Sequence, residues 1–181
     1  MDNRDRMDAE VKPIPADDPG RELTHVGRDG SGVEHIHLAG GTYTILVSGA
    51  DTNGTYCLID MLVPPGGGPA PHRHDFEEMF YLLEGEVELT FRGERVTARA
   101  GETINIPANA PHAFRNVSTQ AARLLCMCTP AGQEDFFRQV GSPAGSAEEP
   151  APKLTPDELK AFVAKAVRLA PIYRSELLPP A

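Results

Sequence analysis

Residues 66–85 read GGGPAPHRHDFEEMFYLLEG, and this stretch decides what the sequence predicts for both fold and chemistry. His72 and His74 occupy alternate positions, so in a β-strand both imidazoles point to the same face. A carboxylate follows at Glu77 or Glu78, and His112 supplies a third imidazole from a later segment. Three nitrogen ligands and one oxygen ligand suit a divalent first-row transition metal and leave coordination positions open. The sequence therefore predicts a metal site.

The carboxylate of this set is either Glu77 or Glu78. Glu78 has the same strand parity as His74, which favours Glu78, although a turn between the two residues would break that parity. Glu77 would then be exposed or would support a ligand from outside the set. Iron, manganese, nickel, copper and zinc all accept these donors, so we expect one divalent ion of this group per chain.

Short β-rich segments separated by turn residues surround this stretch. Thr42–Val47 is followed by Asn53-Gly54, a dipeptide that is the strongest short signal for a β-hairpin. Glu86–Phe91 alternates polar and apolar residues, as a strand with one buried face does. Roughly nine or ten such segments between residues 31 and 130 predict an all-β sandwich or barrel, not alternating strands and helices.

The two ends of the chain differ from this β-rich centre. Residues 1–30 are polar and rich in Pro and Gly, which predicts a flexible N-terminal arm. Residues 131–181 are predicted to hold C-terminal helices and a linker. The first helix covers Gln133–Val140, and residues 142–153 have the low-complexity composition of a linker.

A second helix is predicted to begin at Thr155, because Thr155 and Glu158 have the spacing of a capping box. Its apolar residues lie on one stripe at helical spacing, and these are Leu159, Phe162, Val163, Ala166, Val167 and Ala170. Such a stripe needs a partner, so we expect it to pack on the barrel or on a second subunit.

Composition limits the classes of partner. The chain of 181 residues has 17 basic and 26 acidic residues, a net charge of −9, which argues against nucleic acid and anionic membranes. No apolar run approaches the ~20 residues of a membrane span, and the first residues lack a signal peptide. The odd cysteine count, at Cys57, Cys126 and Cys128, is typical of a reducing cytoplasm. Cys126 and Cys128 are interpreted as buried strand residues, not as metal ligands.

The turns and ligands together resemble the two motifs of the cupin superfamily. Spacing from Gly66 through His72, His74 and Glu78 to Gly85 matches the first motif throughout. The second motif is matched by Gly101, Pro107, His112 and Asn116, with one departure, Asn109 in place of Gly. That departure costs little, because Asn tolerates the left-handed backbone conformation better than other non-glycine residues. The likeness extends over about residues 35–130.

This resemblance implies a cupin-type jelly-roll β-barrel over residues 31–130 with a short C-terminal helical extension. It also implies that His72, His74, Glu78 and His112 are the metal ligands, and it thereby selects Glu78 over Glu77. A second His-x-His, His35-Ile36-His37, has no acidic residue at the right distance and is interpreted as an ordinary half-exposed strand.

The single-barrel form with its C-terminal tail is most similar to bacterial quercetin-dioxygenase-like proteins. This implies a cytoplasmic, metal-dependent dioxygenase that acts on a small oxygenated molecule such as a flavonol, a catechol or a diketone. Glu78 would both bind the metal and accept the substrate hydroxyl proton. The alternatives are a non-catalytic binding or sensing module and a metal-dependent isomerase. Similar cupins pair through their barrel faces, so we expect a homodimer.

Overall fold

Two antiparallel β-sheets make up most of the computed structural model, which describes residues 13–179. The strands in this range are β1 (Glu34–Leu38), β2 (Gly41–Val47), β3 (Cys57–Val63), β4 (His72–His74), β5 (Glu77–Glu84), β6 (Glu86–Phe91), β7 (Glu94–Arg99), β8 (Thr103–Ile106), β9 (His112–Arg115), β10 (Ala122–Thr129), β11 (Ser142–Ala144) and β12 (Ser175–Leu177). The larger sheet has the order β11-β1-β2-β3-β10-β5-β8, and the smaller has the order β12-β4-β9-β6-β7.

The two sheets face each other and share one core. Phe80 on β5 and Phe114 on β9 meet edge to face across the interior, with ring centroids 5.4 Å apart. Along β10 every second residue is buried, from Ala122 to Cys128, as expected for a strand with one face in a core. This arrangement confirms the predicted all-β, cupin-type jelly roll.

The predicted helices are present at the predicted places. Helix α1 covers Gln133–Val140, and helix α2 covers Pro156–Leu169 and continues into a 3-10 helix over Ala170–Tyr173. The capping box forms as expected, because Glu158 N donates to Thr155 Oγ1 at 3.3 Å and Thr155 N donates to Glu158 Oε2 at 2.8 Å. Neither helix, nor any other in residues 13–179, has the length and apolarity that crossing a membrane requires.

Two three-residue strands lie where the sequence shows no strand signal. β11 falls in the predicted linker 142–153 and pairs with β1, so the linker prediction is wrong for these three residues. β12 lies near the chain end and pairs with β4, the strand that carries two of the candidate ligands. The C-terminal segment is therefore part of both sheets. Residues 13–30 of the predicted arm form turns and no strand, and residues 1–12 lie outside the described residues.

The apolar stripe of α2 is buried along only one edge. Ala166 and Ala170 are 3% and 1% exposed, and Phe162 packs against the core. The other edge is only half covered, with Leu159, Val163 and Val167 each 44–53% exposed. Within one chain the helix thus packs on its own protein, as expected, but it keeps an apolar edge partly in solvent.

Candidate metal centre

Three imidazoles converge on the inner face of the smaller sheet. β4 carries His72 and His74 at alternate positions, and His72 is paired directly with His112 of β9 across the ladder. The imidazole centroid of His112 lies 4.2 Å from that of His72 and 4.9 Å from that of His74. Register alone therefore places the third imidazole beside the first two.

Glu78 reaches these imidazoles from the other sheet. The chain passes from β4 to β5 through Asp75 and Phe76, and this step moves it from the smaller sheet to the larger one. The Glu78 side chain is buried, and its Oε2 lies 3.2 Å from Nε2 of both His74 and His112. One donor atom from each of the four residues lies within 4.8 Å of every other.

Backbone carbonyls orient all three rings. Nδ1 of His72 contacts Ala70 O at 2.8 Å, Nδ1 of His74 contacts Phe76 O at 2.9 Å, and Nδ1 of His112 contacts Ala110 O at 2.9 Å. A carbonyl oxygen only accepts, so each Nδ1 carries the hydrogen and Nε2 of the neutral ring carries a lone pair.

The lone pairs of His74 and His112 therefore face the carboxylate Oε2 of Glu78, which is also an acceptor. Acceptors that face one another at 3.2 Å need a cation between or beside them. Nitrogen and oxygen donors in this arrangement fit a divalent transition metal, so the four residues together could hold one.

Glu78 and His72 have the protonation states that metal binding requires. Burial by itself raises the pKa of Glu78, but hydrogen bonds from His112 and His74, which form when a proton takes the place of a metal cation, outweigh burial and hold this pKa below its ordinary value. Burial, followed by the charge of His112, lowers the pKa of His72 to about 4. At neutral pH Glu78 is thus ionised and His72 is neutral, which are the forms that bind a metal.

Glu77, the other carboxylate considered, lies outside the cluster. It is exposed, and its two oxygens accept from Ala108 N and Asn105 Nδ2, both at 3.1 Å. These hydrogen bonds tie β5 to the segment that leads into β9. The motif spacing thus points to the carboxylate that joins the imidazoles, whereas strand parity does not apply across the step from β4 to β5.

The glycine-like turn at Asn109 also forms as expected. Asn109 has φ of 68°, in the left-handed region, and its N–H donates to His74 O at 2.6 Å. The neighbouring His-x-His in β1 has a different role. Nδ1 of His35 contacts Thr44 Oγ1 at 2.8 Å, and Nδ1 of His37 contacts Thr42 Oγ1 at 3.2 Å. Neither imidazole joins the metal cluster.

A cavity of about 500 Å³ opens beside the cluster, and His72 and Glu78 form part of its wall. Most of the wall is apolar. Phe80 and Phe114 belong to it, whereas Phe76 stacks on His74 with ring centroids 3.9 Å apart. Residues of α1, α2 and β12 also line this cavity, which the sequence does not indicate because only the tertiary fold brings them there.

The position of two thiols beside Glu78 is a second feature that the sequence did not reveal. Cys57, Cys126 and Cys128 are all free and buried, and burial was predicted for Cys126 and Cys128. Cys126 Sγ also lies 3.4 Å from Glu78 Oε1 and 3.7 Å from Cys128 Sγ. The two oxygens of Glu78 therefore face different groups, Oε2 the imidazoles and Oε1 the thiols.

The amino-acid sequence is similar to a known protein family and to several characterised proteins. Residues 59–128 match the family model described as "Cupin domain". The chain is 26% identical over 102 residues to quercetin 2,3-dioxygenase of Bacillus subtilis, covering 56% of this chain but only 30% of that enzyme. It is also 26% identical over 132 residues to polyketide synthase CurC of Streptomyces cyaneus, covering 72% of this chain and 80% of that protein.

Solved structures agree on the fold. The polyketide cyclase RemF from Streptomyces resistomycificus aligns with a TM-score of 0.52 and 24% identity, over 77% of this chain and 92% of that one. An RmlC-like cupin from Shewanella frigidimarina aligns with a TM-score of 0.51 and 20% identity, over 63% of this chain and 99% of that one. Residues 59–128, which contain both sequence motifs, match a cupin domain, and the chain shares the fold of an RmlC-like cupin.

Proposed function

We propose that the protein is a metal-dependent dioxygenase of quercetinase-like type that acts on a small oxygenated compound such as a flavonol, a catechol or a diketone. One observation carries the proposal. Two of the four candidate ligands, His72 and Glu78, also line the apolar cavity of about 500 Å³. A molecule in that cavity would lie directly against the metal centre, and the volume is that of an ordinary small-molecule site.

The charge of the centre selects the form of the substrate. Three neutral imidazoles and one carboxylate leave about one positive charge on a divalent ion, next to walls of low polarity. A metal held there supplies Lewis acidity and, if it is redox-active, one-electron chemistry. The site therefore favours an enolate or phenolate over its neutral acid.

Glu78 is suited to take the substrate proton, because among residues 13–179 it is the only carboxylate on the cavity wall. The imidazoles of His74 and His112 hold its Oε2, and their own positions are fixed by the backbone. The aromatic rings of Phe80 and Phe114 exclude water and offer flat surfaces to a planar substrate.

A redox-neutral reaction is the second candidate. The match to polyketide synthase CurC covers 80% of that protein, whereas the match to quercetin 2,3-dioxygenase covers 30% of that enzyme. The same stabilised enolate could cyclise or isomerise without oxygen, and a binding or sensing module would leave it unchanged. All three functions use the same metal centre. Oxygen uptake distinguishes the dioxygenase from the other two, and conversion of the compound distinguishes the redox-neutral enzyme from the binding module.

The test begins with metal analysis of protein purified without added metal. The stripped protein is then loaded separately with iron, manganese, nickel, copper or zinc, and oxygen uptake is measured with flavonols, catechols and β-diketones. We expect uptake that requires both metal and substrate and is lost in His74→Ala. Glu78→Gln should keep some metal but lose most turnover, whereas the matched control Glu77→Gln should keep both.

Conversion of these compounds without oxygen uptake would replace the dioxygenase by the redox-neutral enzyme. Tight binding without conversion under any metal would replace it by the binding module.

We also propose that the protein is a cytoplasmic homodimer. Three free, buried thiols support a reducing compartment. The half-exposed edge of α2, formed by Leu159, Val163 and Val167, supports a second copy as its cover. Light scattering coupled to size-exclusion chromatography measures the mass, and a monomer at micromolar concentration would contradict the dimer.

A further inference from the structure

Two buried thiols and one oxygen of Glu78 form a compact triangle of donor atoms. Cys126 Sγ lies 3.4 Å from Glu78 Oε1, Cys128 Sγ lies 3.8 Å from the same oxygen, and the two sulfurs are 3.7 Å apart. The three residues are each at most 4% exposed. The imidazoles of His74 and His112 contact the other oxygen, Oε2, so the triangle adjoins the metal centre without sharing its nitrogen ligands.

The register of the larger sheet holds these donors together. β10 lies between β3 and β5, and Cys128 pairs directly with Glu78 of β5. Cys126 is two residues away on the same strand, so its side chain points to the same face as that of Cys128. This is the buried face of β10. Backbone pairing therefore fixes the triangle, and no strand has to move to bring the donors into contact.

The size of the triangle matches a bound metal ion. A point equidistant from the three donor atoms, in the plane that they define, lies about 2.1 Å from each. Metal–thiolate bonds are about 2.3 Å long, and metal–carboxylate bonds are about 2.0–2.2 Å long. An ion at this point takes the place of the thiol hydrogens and has three ligands in one plane.

Donor type and charge together identify the ion. Thiolates favour soft ions such as Cu(I) and zinc. Two thiolates and the shared carboxylate carry three negative charges, and the divalent ion expected at the imidazoles supplies two positive ones. A monovalent ion makes the pair of sites neutral, whereas a second divalent ion leaves an uncompensated charge in the core, which is costly. Structural zinc also requires a fourth ligand, and Cu(I) does not.

We propose that Cys126, Cys128 and Glu78 form a second metal site, which binds one Cu(I) ion. Glu78 then bridges the two sites, with Oε2 toward the imidazoles and Oε1 toward the thiolates. Binding replaces two S–H bonds by two Cu–S bonds, and both protons leave to solvent. The site goes beyond the interpretation of the two cysteines as strand residues alone. It rests on the metal centre, but not on the dioxygenase reaction.

The test is an anaerobic titration of the full chain with Cu(I), in competition with a chromophoric Cu(I) chelator. The protein is first stripped and then given one equivalent of manganese, which thiolates bind poorly. Thiolate-to-copper charge-transfer absorbance reports binding at sulfur, calorimetry in two buffers counts the released protons, and copper X-ray absorption counts the sulfur neighbours. The variants are Cys126→Ala and Cys128→Ala. The matched control is Cys57→Ala, a third buried thiol, on β3 and outside this set of mutually close donors.

We expect the wild type and Cys57→Ala to bind one Cu(I) per chain, with charge-transfer absorbance, two sulfur neighbours and release of about two protons. Cys126→Ala and Cys128→Ala should each weaken Cu(I) binding by at least ~100-fold, because each removes one of three ligands. His74→Ala should keep the charge-transfer absorbance, because its imidazole contacts Oε2 and not Oε1. This variant separates the thiolate site from the imidazole site.

Four results would overturn the second site. They are no charge-transfer absorbance at one equivalent of Cu(I), copper with nitrogen neighbours alone, binding that survives in both Cys126→Ala and Cys128→Ala, and an equal loss of binding in Cys57→Ala. Should the alanine variants not fold, the proton count and the X-ray absorption of the wild type decide the matter. A failure of oxygen uptake would remove the dioxygenase proposal and leave this site standing.

Discussion

The neighbouring carboxylates Glu77 and Glu78 give the sharpest test of the metal centre, because they differ in position and not in chemistry. Glu78 Oε2 lies 3.2 Å from two imidazole nitrogens, whereas Glu77 bonds to Asn105 and Ala108 at the surface. Each is changed to Gln, which keeps the shape and removes the charge. Only Glu78→Gln removes a charged ligand from the cluster.

The expected change in thermal stability follows from the free energy with which bound metal stabilises the folded protein. A metal present at 100 times its Kd stabilises the folded state by about 2.7 kcal/mol. For a chain of this size that corresponds to a rise in melting temperature of roughly 5–11 °C. If Glu78→Gln weakens binding by about 100-fold, the same metal concentration stabilises by only about 0.4 kcal/mol, or ~1–2 °C.

The assay is thermal unfolding of chelator-treated protein with and without zinc or nickel, at a metal concentration fixed by the wild-type titration. Glu77→Gln should retain the full wild-type rise. A full rise in Glu78→Gln, or its loss in Glu77→Gln, would refute the assignment of the carboxylate.

Three further predictions concern stability. Glu134 accepts from Gly49 N at 2.6 Å and Gly132 N at 2.9 Å; burial raises its pKa, but these bonds outweigh burial and lower it. The stabilisation by Glu134 is therefore present above pH ~5 and is lost on acidification. In urea titrations, Glu134→Gln should lower the free energy of unfolding by about 1–2 kcal/mol at pH 7 and by much less at pH 3. A difference between variant and wild type that does not change with pH would contradict this. Because Asn109 has a left-handed backbone, Asn109→Gly should leave the free energy of unfolding nearly unchanged and Asn109→Ala should lower it by about 1 kcal/mol. Equal stability of the two variants in urea titrations would contradict the left-handed turn. Deleting residues 154–181 removes β12 and one wall of the cavity, and we expect aggregation or a changed mass in light scattering; unchanged size and melting would show that the tail is dispensable.

The sequence was sufficient for features that depend on local pattern. Alternation in the strands, the capping box at Thr155 and the spacing from His72 to Glu78 are all set by neighbours a few residues apart. β11 and β12 were not predicted, because three residues are too few to show an alternating pattern. β11 also contains Pro143, and proline is tolerated only in a strand at the edge of a sheet.

Tertiary placement accounts for the rest of what was missed. Cys126 and Cys128 are ordinary strand residues in the sequence. Nothing local shows that both lie against Oε1 of Glu78. Such contacts join residues far apart in the chain, so only the packed structure reveals them.

The backbone acceptors of the imidazoles bear on how such a protein can diverge. His72 is oriented by the carbonyl of Ala70, an oxygen that any residue at that position would supply, while the Ala70 side chain lines the cavity. Mutation at position 70 can therefore reshape the cavity without changing which nitrogen of His72 carries the proton. The carbonyl of Ala110 orients His112 in the same way. At position 70 the shape of the cavity and the orientation of His72 thus depend on separate atoms of one residue, so selection can alter the first while the second is inherited intact.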